Sequence, residues 1–260
     1  MKNEGNSRYL VMSVVSLSVG ILAWWFFTDF LKTIPAIVMP GPVKVFKTFI
    51  KKIYDTTPDG ANLLQHLQSS LTVALSGYAI GVLIGIPLGI LMAWYNKLDM
   101  FVRPLFDLLR PIPGLAWIPV MIVLFGIGIF SKAMVIFLSV FVACVINSYS
   151  GIKQTKAVHL WVGQTFGASN FELLWRIAIP TSLPMLLTGL RVALGAAWTT
   201  LIAAELLAST RGVGFMIQQS RGLFRPDIII VGMITIGGVG ALLAKLITLL
   251  EKILLKGGRW

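Results

Sequence analysis

The chain has 260 residues, 57% of them hydrophobic and only 12% charged, against about half apolar and a quarter charged in a soluble domain. Water is therefore not its main solvent. Twenty-two Lys and Arg against ten Asp and Glu give a net charge of +12, but these charges flank long apolar stretches, as at a membrane, and do not form a nucleic-acid face.

Residues 9–28 carry no charge and at 1.5 Å per residue reach across a hydrocarbon core of about 30 Å. The run ends in Trp24-Trp25-Phe26-Phe27, an aromatic belt and not the small-residue cleavage site of a secretory signal, so it is read as a retained first span. Pro40-Gly41-Pro42 then breaks the chain. Over residues 43–54 Phe46, Phe49, Ile50 and Ile53 recur at helical spacing, with Lys44, Lys47, Lys51 and Lys52 on the other face. This predicts a short helix in the membrane interface, or one packed on the bundle.

A second span covers residues 67–96, which are longer than a membrane needs and so project or tilt. In it Gly77, Gly81, Gly85 and Gly89 recur every four residues, continued by Ala93. That face is nearly bare backbone, so another helix must pack closely there. Pro87 is expected to kink the helix.

Residues 111–131 read as the third span, with Asp107 and Arg110 just before it. Pro111, Pro113 and Pro119 interrupt its start, and broken backbone at membrane depth is tolerated only against protein or a water-lined cavity. The region is therefore a predicted cavity wall. Residues 133–152 form the fourth span, holding the single cysteine, Cys144, which can make neither an intrachain disulfide nor a cysteine metal site.

The loop 153–182 has its own architecture. Gly167 interrupts it, and Ser169-Asn170-Phe171-Glu172 has the S-x-x-E capping pattern. A helix is predicted from there through Leu173, Leu174, Trp175, Arg176 and Ile177, stopping at Pro180. It reads as a docking surface or as a self-packed loop helix.

The fifth and sixth spans, about residues 183–208 and 227–250, carry Arg191, Glu205 and Lys245, which are costly in lipid and should face protein or a wet cavity. Arg191 and Glu205 stand 14 residues apart, roughly 21 Å along a helix, so each needs another partner. Arg191 either faces a cavity and favours an anion, or bonds backbone carbonyls inside the bundle.

No catalytic or metal constellation emerges. His66 and His159 sit in no metal-binding spacing and read as interfacial residues. Gly126-Ile127-Gly128-Ile129-Phe130-Ser131-Lys132 has its glycines and lysine in the wrong order for a phosphate-cradling loop. Orientation is not decided by charge: Lys32, Lys44, Lys47, Lys51, Lys52, Lys132, Arg211, Arg221 and Arg225 on one side face Lys2, Arg8, Arg103, Lys153, Lys156, Arg176, Lys252, Lys256 and Arg259 on the other.

Gly167, then nine residues to Ile177, then Ile179-Pro180 resembles the E-A-A-x-x-x-G…I-x-L-P loop of the permeases of bacterial ATP-binding-cassette (ABC) importers. The leading positions here are Trp161, Val162 and Gly163, so the acidic residue is missing. The stretches from Arg110 to Pro119 and from Ala203 to Gly214 narrow the resemblance to permeases of the nitrate, sulfonate, taurine and bicarbonate class, taurine and aliphatic-sulfonate members foremost. It covers about residues 35–250.

This resemblance implies an all-α membrane protein with the six-transmembrane-helix type I ABC importer permease fold, a single domain over residues 1–260. It implies an inner-membrane, multi-pass homodimer with both termini and the 153–182 loop in the cytoplasm. Its partners would be two ATPase subunits that bind ATP and Mg, an extracytoplasmic substrate-binding protein and membrane lipid, with no nucleic acid and no cofactor in the chain itself. The expected coupling residues are Gly163, Gly167, Ala168, Ser169, Phe171, Glu172, Leu173, Trp175 and Arg176, with Phe171, Leu173 and Trp175 making the buried contact. Expected pathway or gate residues are Arg110, Pro111, Pro113, Trp117, Arg191, Trp198, Glu205 and Arg211. The solute would be taurine or another sulfonate, with nitrate, bicarbonate or another small organic solute as the alternative; a stand-alone carrier or channel is the reading from a different class.

Overall fold

The structure, a computed structural model, describes residues 2–256, and all its regular elements are helical. Arg259 lies outside the described residues. Helix α1 (Lys2–Trp25) runs on into a π turn, Phe26–Phe30. From Val11 to Leu22 its apolar side chains stay exposed, Met12 at 71%, and Trp24 packs against the rest of the chain. So much exposed apolar surface belongs against lipid or a second protein.

Helix α2 (Pro42–Tyr54) has Pro at its first position, where the missing N–H costs nothing. It packs Val45, Phe49 and Ile53 inward and leaves Phe46 and Ile50 exposed. Lys52 departs from the expected wet face: it is 2% exposed, pairs with Asp59 and donates to the carbonyls of Thr57 and Ala61 at 3.0 and 2.8 Å. The loop it covers needs a donor, and a lysine stem is long enough to reach back.

Helix α3 (Leu63–Trp94) starts from a reciprocal cap between Asn62 and Gln65 and runs unbroken through Pro87. The chain then turns through α4 (Asn96–Leu109), a 3₁₀ turn Gly114–Trp117 and α5 (Ile118–Phe125). This corrects the third span. The arms on either side of the Pro111–Pro113 break meet at 82°, and the eight residues of α5, about 12 Å long, cannot cross a bilayer. Two prolines within three residues remove the N–H donors a continuous helix would need.

Helix α6 (Ile129–Lys153) lies on the glycine row of α3. A Cβ at Gly85 would sit 2.8 Å from the Cβ of Cys144, and one at Gly89 2.6 Å from the carbonyl oxygen of Val145. Beyond it come α7 (Ala157–Thr165), α8 (Asn170–Leu173), a π turn Leu174–Ala178, α9 (Ile179–Leu207), α10 (Val213–Gly222) and α11 (Pro226–Lys256). Among the described residues five helices are long and apolar enough to span, or six if the bent pair is taken as one span.

Pro180 does not stop the helix, contrary to expectation. The π turn widens the backbone just before it, with the Ile179 N–H donating to the Leu174 carbonyl. The hydroxyls of Thr181 and Ser182 donate to the carbonyls of Ile177 and Ile179 at 2.7 and 2.8 Å. The π turn thus carries the chain past the proline, and the capped segment continues into α9.

Val73 and Ala74 of α3, Ile136, Val140 and Cys144 of α6, and Ala193, Ala197, Trp198 and Leu201 of α9 form the central core. The Trp198 indole N–H donates to the Ile236 carbonyl at 3.1 Å, tying α11 to α9. Trp198 is therefore a core residue.

Candidate functional site

Chemistry-bearing residues collect at three levels of the bundle. The first is the end where α6 stops and α9 begins. Gly167 adopts φ +78° with nothing within 4 Å of a would-be Cβ, so the left-handed backbone is what demands glycine there. The turn presents Ser169, whose hydroxyl accepts from the Glu172 N–H at 3.3 Å while the Glu172 carboxylate accepts from the Ser169 N–H at 3.0 Å. This is the cap read from the sequence.

Gly163 serves a different purpose. A Cβ there would lie 2.5 Å from Leu173 and 2.8 Å from Ile177, so its bareness lets α7 close on the capped segment. Leu173 is 4% exposed, turned inward, and cannot be the outward contact expected of it. Phe171 and Trp175 do face out, 64% and 63% exposed, their rings stacked at 6.4 Å and 7°. Val158, Trp161, Val162 and Phe166 are exposed on the neighbouring α7 and turn. Ala168 donates to the Gly163 carbonyl at 3.0 Å, and Arg176 stands 4.0 Å from Glu172. Trp161, where the acidic position of the loop pattern falls, is one more exposed aromatic.

The second level is a cavity of about 270 Å³ between the α4–α5 bend, α6 and α9. Arg110, Pro113 and Trp117 line it, as the proline-rich stretch predicted. The sequence reading missed Ser139, Thr199 and Thr200, which face them; Ser139 and Thr200 share a hydrogen bond of 3.0 Å. Gly114 lets the bend approach Ser139, since a Cβ there would collide with its hydroxyl. Hydroxyls on apolar helices were the available signal. Arg110 also lines an adjoining cavity, where Arg103 bridges Asp99 and Tyr149. Pro111 is exposed beside the bend.

The third level is the opposite end, about 37 Å away along α6. Glu205, 1% exposed, accepts from Ser70 Oγ at 2.7 Å and from the Gly214 N–H at 2.9 Å. Ser70 Oγ accepts from Val213, and His66 Nδ1 accepts from the Gly212 N–H at 3.1 Å. The turn after α9 is thus stapled to α3. His66 is fully buried beside Asp59, 3.2 Å away, which overturns its reading as an interfacial residue, while His159 is exposed. A polar histidine sinks here because a loop amide and a carboxylate await it.

Burial pushes the Asp59 carboxyl up, but hydrogen bonds and charge from His66 and Lys52 outweigh it and hold the group below its ordinary range. Asp55 is held at about 2 by the backbone and hydroxyl donors of Thr57.

Arg191 joins none of these levels. It pairs with Glu251 of α11 in a separate recess with Thr248 and Lys252. Arg211 lies near Glu205 in the chain but forms no ion pair with it. Among the described residues no group of three His, Cys, Asp or Glu could hold a metal.

The family described as "Binding-protein-dependent transport system inner membrane component" matches residues 85–258. The taurine transport system permease protein TauC of Escherichia coli (strain K12) is 37% identical over 240 residues, 91% of this chain and 86% of that protein. The putative aliphatic sulfonates transport permease protein SsuC of Bacillus subtilis (strain 168) is 32% identical over 255 residues, 98% of this chain and 91% of its own. A chain of the MetNI methionine ABC transporter in an inward-facing conformation superposes with a TM-score of 0.58 at 17% identity, covering 71% of this chain and 95% of that one. At that identity the likeness is one of fold.

Proposed function

Because this chain belongs to the family of binding-protein-dependent transport system inner membrane components, as a permease subunit of an ABC importer, we propose that it forms half of a homodimeric pathway for taurine or another small sulfonate. The observation that carries the mechanism is the outward aromatic pair Phe171–Trp175 on a rigid cap at one end of the bundle. A solitary carrier has no use for it. It fits a groove on a separate ATPase subunit, which supplies ATP and Mg chemistry absent from this chain's motifs. This puts the 153–182 loop and both termini in the cytoplasm.

Movement of the docked cap has a direct route into the membrane. α8, the π turn and α9 are continuous, so closure of two ATPase subunits displaces α9 as a lever. Thr199 and Thr200 sit about 30 Å along that lever from Ile179, at the cavity shared with Arg110. Differential binding of the ATPase to the two positions of the lever shifts access from one face to the other. In the cavity Arg110 favours the sulfonate charge, while Ser139, Thr199 and Thr200 offer hydroxyls. A binding protein delivers the solute at the opposite end.

The reading is tested by ATP-dependent uptake of labelled taurine into proteoliposomes holding this chain with its ATPase and binding protein. Uptake that falls at least tenfold in Arg110→Gln supports it. Uptake unchanged in that variant overturns the role of Arg110, and no uptake of any sulfonate overturns the substrate class.

A further inference from the structure

A cavity of about 680 Å³ is neither the Arg110 cavity nor the docking surface. It opens at the end away from Gly167, between the start of α3, the start of α6 and the turn after α9. Gln65, Gln68, Ser69 and Thr72 line it from α3, Lys132 from α6, and Ser209, Thr210 and Arg211 from the turn.

Its charge is one-sided. Lys132 is 7% exposed, and its ammonium donates to Ser209 Oγ at 2.8 Å, leaving two of its three protons without a partner among the described residues. Neither Lys132 nor Arg211 takes part in an ion pair there. No carboxylate lines the cavity; Glu205 acts on Lys132 from behind the wall, already engaged by Ser70 and Gly214. A buried ammonium is retained only where something favours its charge. The first turn of the 25-residue α6 also borders the cavity at Gly128 and Ile129, adding the positive end of a helix dipole.

Two cations, two side-chain amides and four hydroxyls converging from three directions suit an oxyanion with several acceptor oxygens. We infer that this cavity is a receiving site for a small sulfonate or similar oxyanion at the mouth of the pathway, distinct from the Arg110 cavity. The inference rests on the importer reading for its solute. The cavity holds the anion as it leaves the delivering protein, and Lys132 and Arg211 supply its charge.

The test uses the full chain in lipid nanodiscs with Gln68→Cys, a lining residue exposed to solvent, in a Cys144→Ala background. Rates of thiol modification are measured with an anionic sulfonatoethyl and a cationic trimethylammonioethyl methanethiosulfonate, each normalised to a free thiol. Two nearby positive charges, one partly offset by Glu205 and all screened by salt, predict about three- to tenfold preference for the anionic reagent. Lys132→Gln and, separately, the exposed Arg211→Gln each move the ratio towards one. Millimolar methanesulfonate or taurine slows the anionic reagent at least threefold, whereas glycerol does not.

A ratio of one overturns the proposal. So does a positive ratio that neither sulfonate changes, which would assign the charge to an acidic side chain of a docked protein. Protection by sulfonates in a chain that gives no ATP-driven uptake would sink the importer mechanism and leave this site standing.

Discussion

Truncating the aromatic pair gives the account its most exposed test. Phe171 and Trp175 are 64% and 63% exposed, and an aromatic side chain offers about 150–250 Å² for burial. A partner that covers the free portion removes roughly 100–150 Å² per ring, worth about 3 kcal/mol each at ~25 cal/mol per Å². Each single change, Phe171→Ala or Trp175→Ala, should therefore weaken ATPase binding about 100-fold. Because the rings stack on each other, the double variant should lose less than the sum. The chain's own stability should barely move, since Leu173 and Leu174, both 4% exposed, anchor the segment. Biolayer interferometry on the nanodisc-embedded chain measures the affinity for the ATPase subunit, and thermal denaturation supplies the control. An affinity within twofold of wild type, with the fold intact, would refute the assignment of this surface.

Gly167→Val should uncouple ATP hydrolysis from uptake and Gly167→Asn should be milder, because the open space around the position leaves only the φ of +78° to object, a conformation Asn tolerates; equal effects in a coupled ATPase and uptake assay would count against this. Gly89→Ala should cost about 1–3 kcal/mol in denaturation experiments, since a backbone carbonyl 2.6 Å away cannot yield, while Gly238→Ala, with nothing within 4 Å, should be neutral or better. Lys52→Met should cost about 3–5 kcal/mol by stranding a buried Asp59, a loss visible as a lower melting temperature. Asp59 is held below its ordinary value of 3.8, so its contribution is complete above about pH 4 and lost as pH falls through the depressed value. Melting temperature should thus be insensitive to this group between pH 7 and 5 and drop in stronger acid, more shallowly in Asp59→Asn.

Features that obey a local rule were legible in the sequence. The glycine row forces a close neighbour whatever that neighbour is, and α6 supplies it. Ser169 and Glu172 cap a helix within four residues of chain, and Gly167 bends by its own backbone freedom. Features that depend on distant partners were not legible. Lys52 reads as wet until the loop through Asp59 folds over it, and His66 until the Gly212 amide arrives 146 residues later. Pro180 should end a helix by local sterics, yet the π turn before it lets the helix run on into α9. Residues 111–131 have the length and hydropathy of a span, and their prolines mark a break at its start, but composition does not record the 82° turn that the chain makes there. Ser139, Thr199 and Thr200 were not legible as a group, since their meeting depends on how α6 and α9 pack.

The central claim is that this chain is a gate moved by a separate ATPase. It is tested most directly by measuring labelled taurine in proteoliposomes that contain the chain alone, or the chain with its ATPase and binding protein, each with and without ATP. The account predicts accumulation against a gradient only in the complete, ATP-fed vesicles. Concentrative uptake by the chain alone on an ion gradient would contradict it.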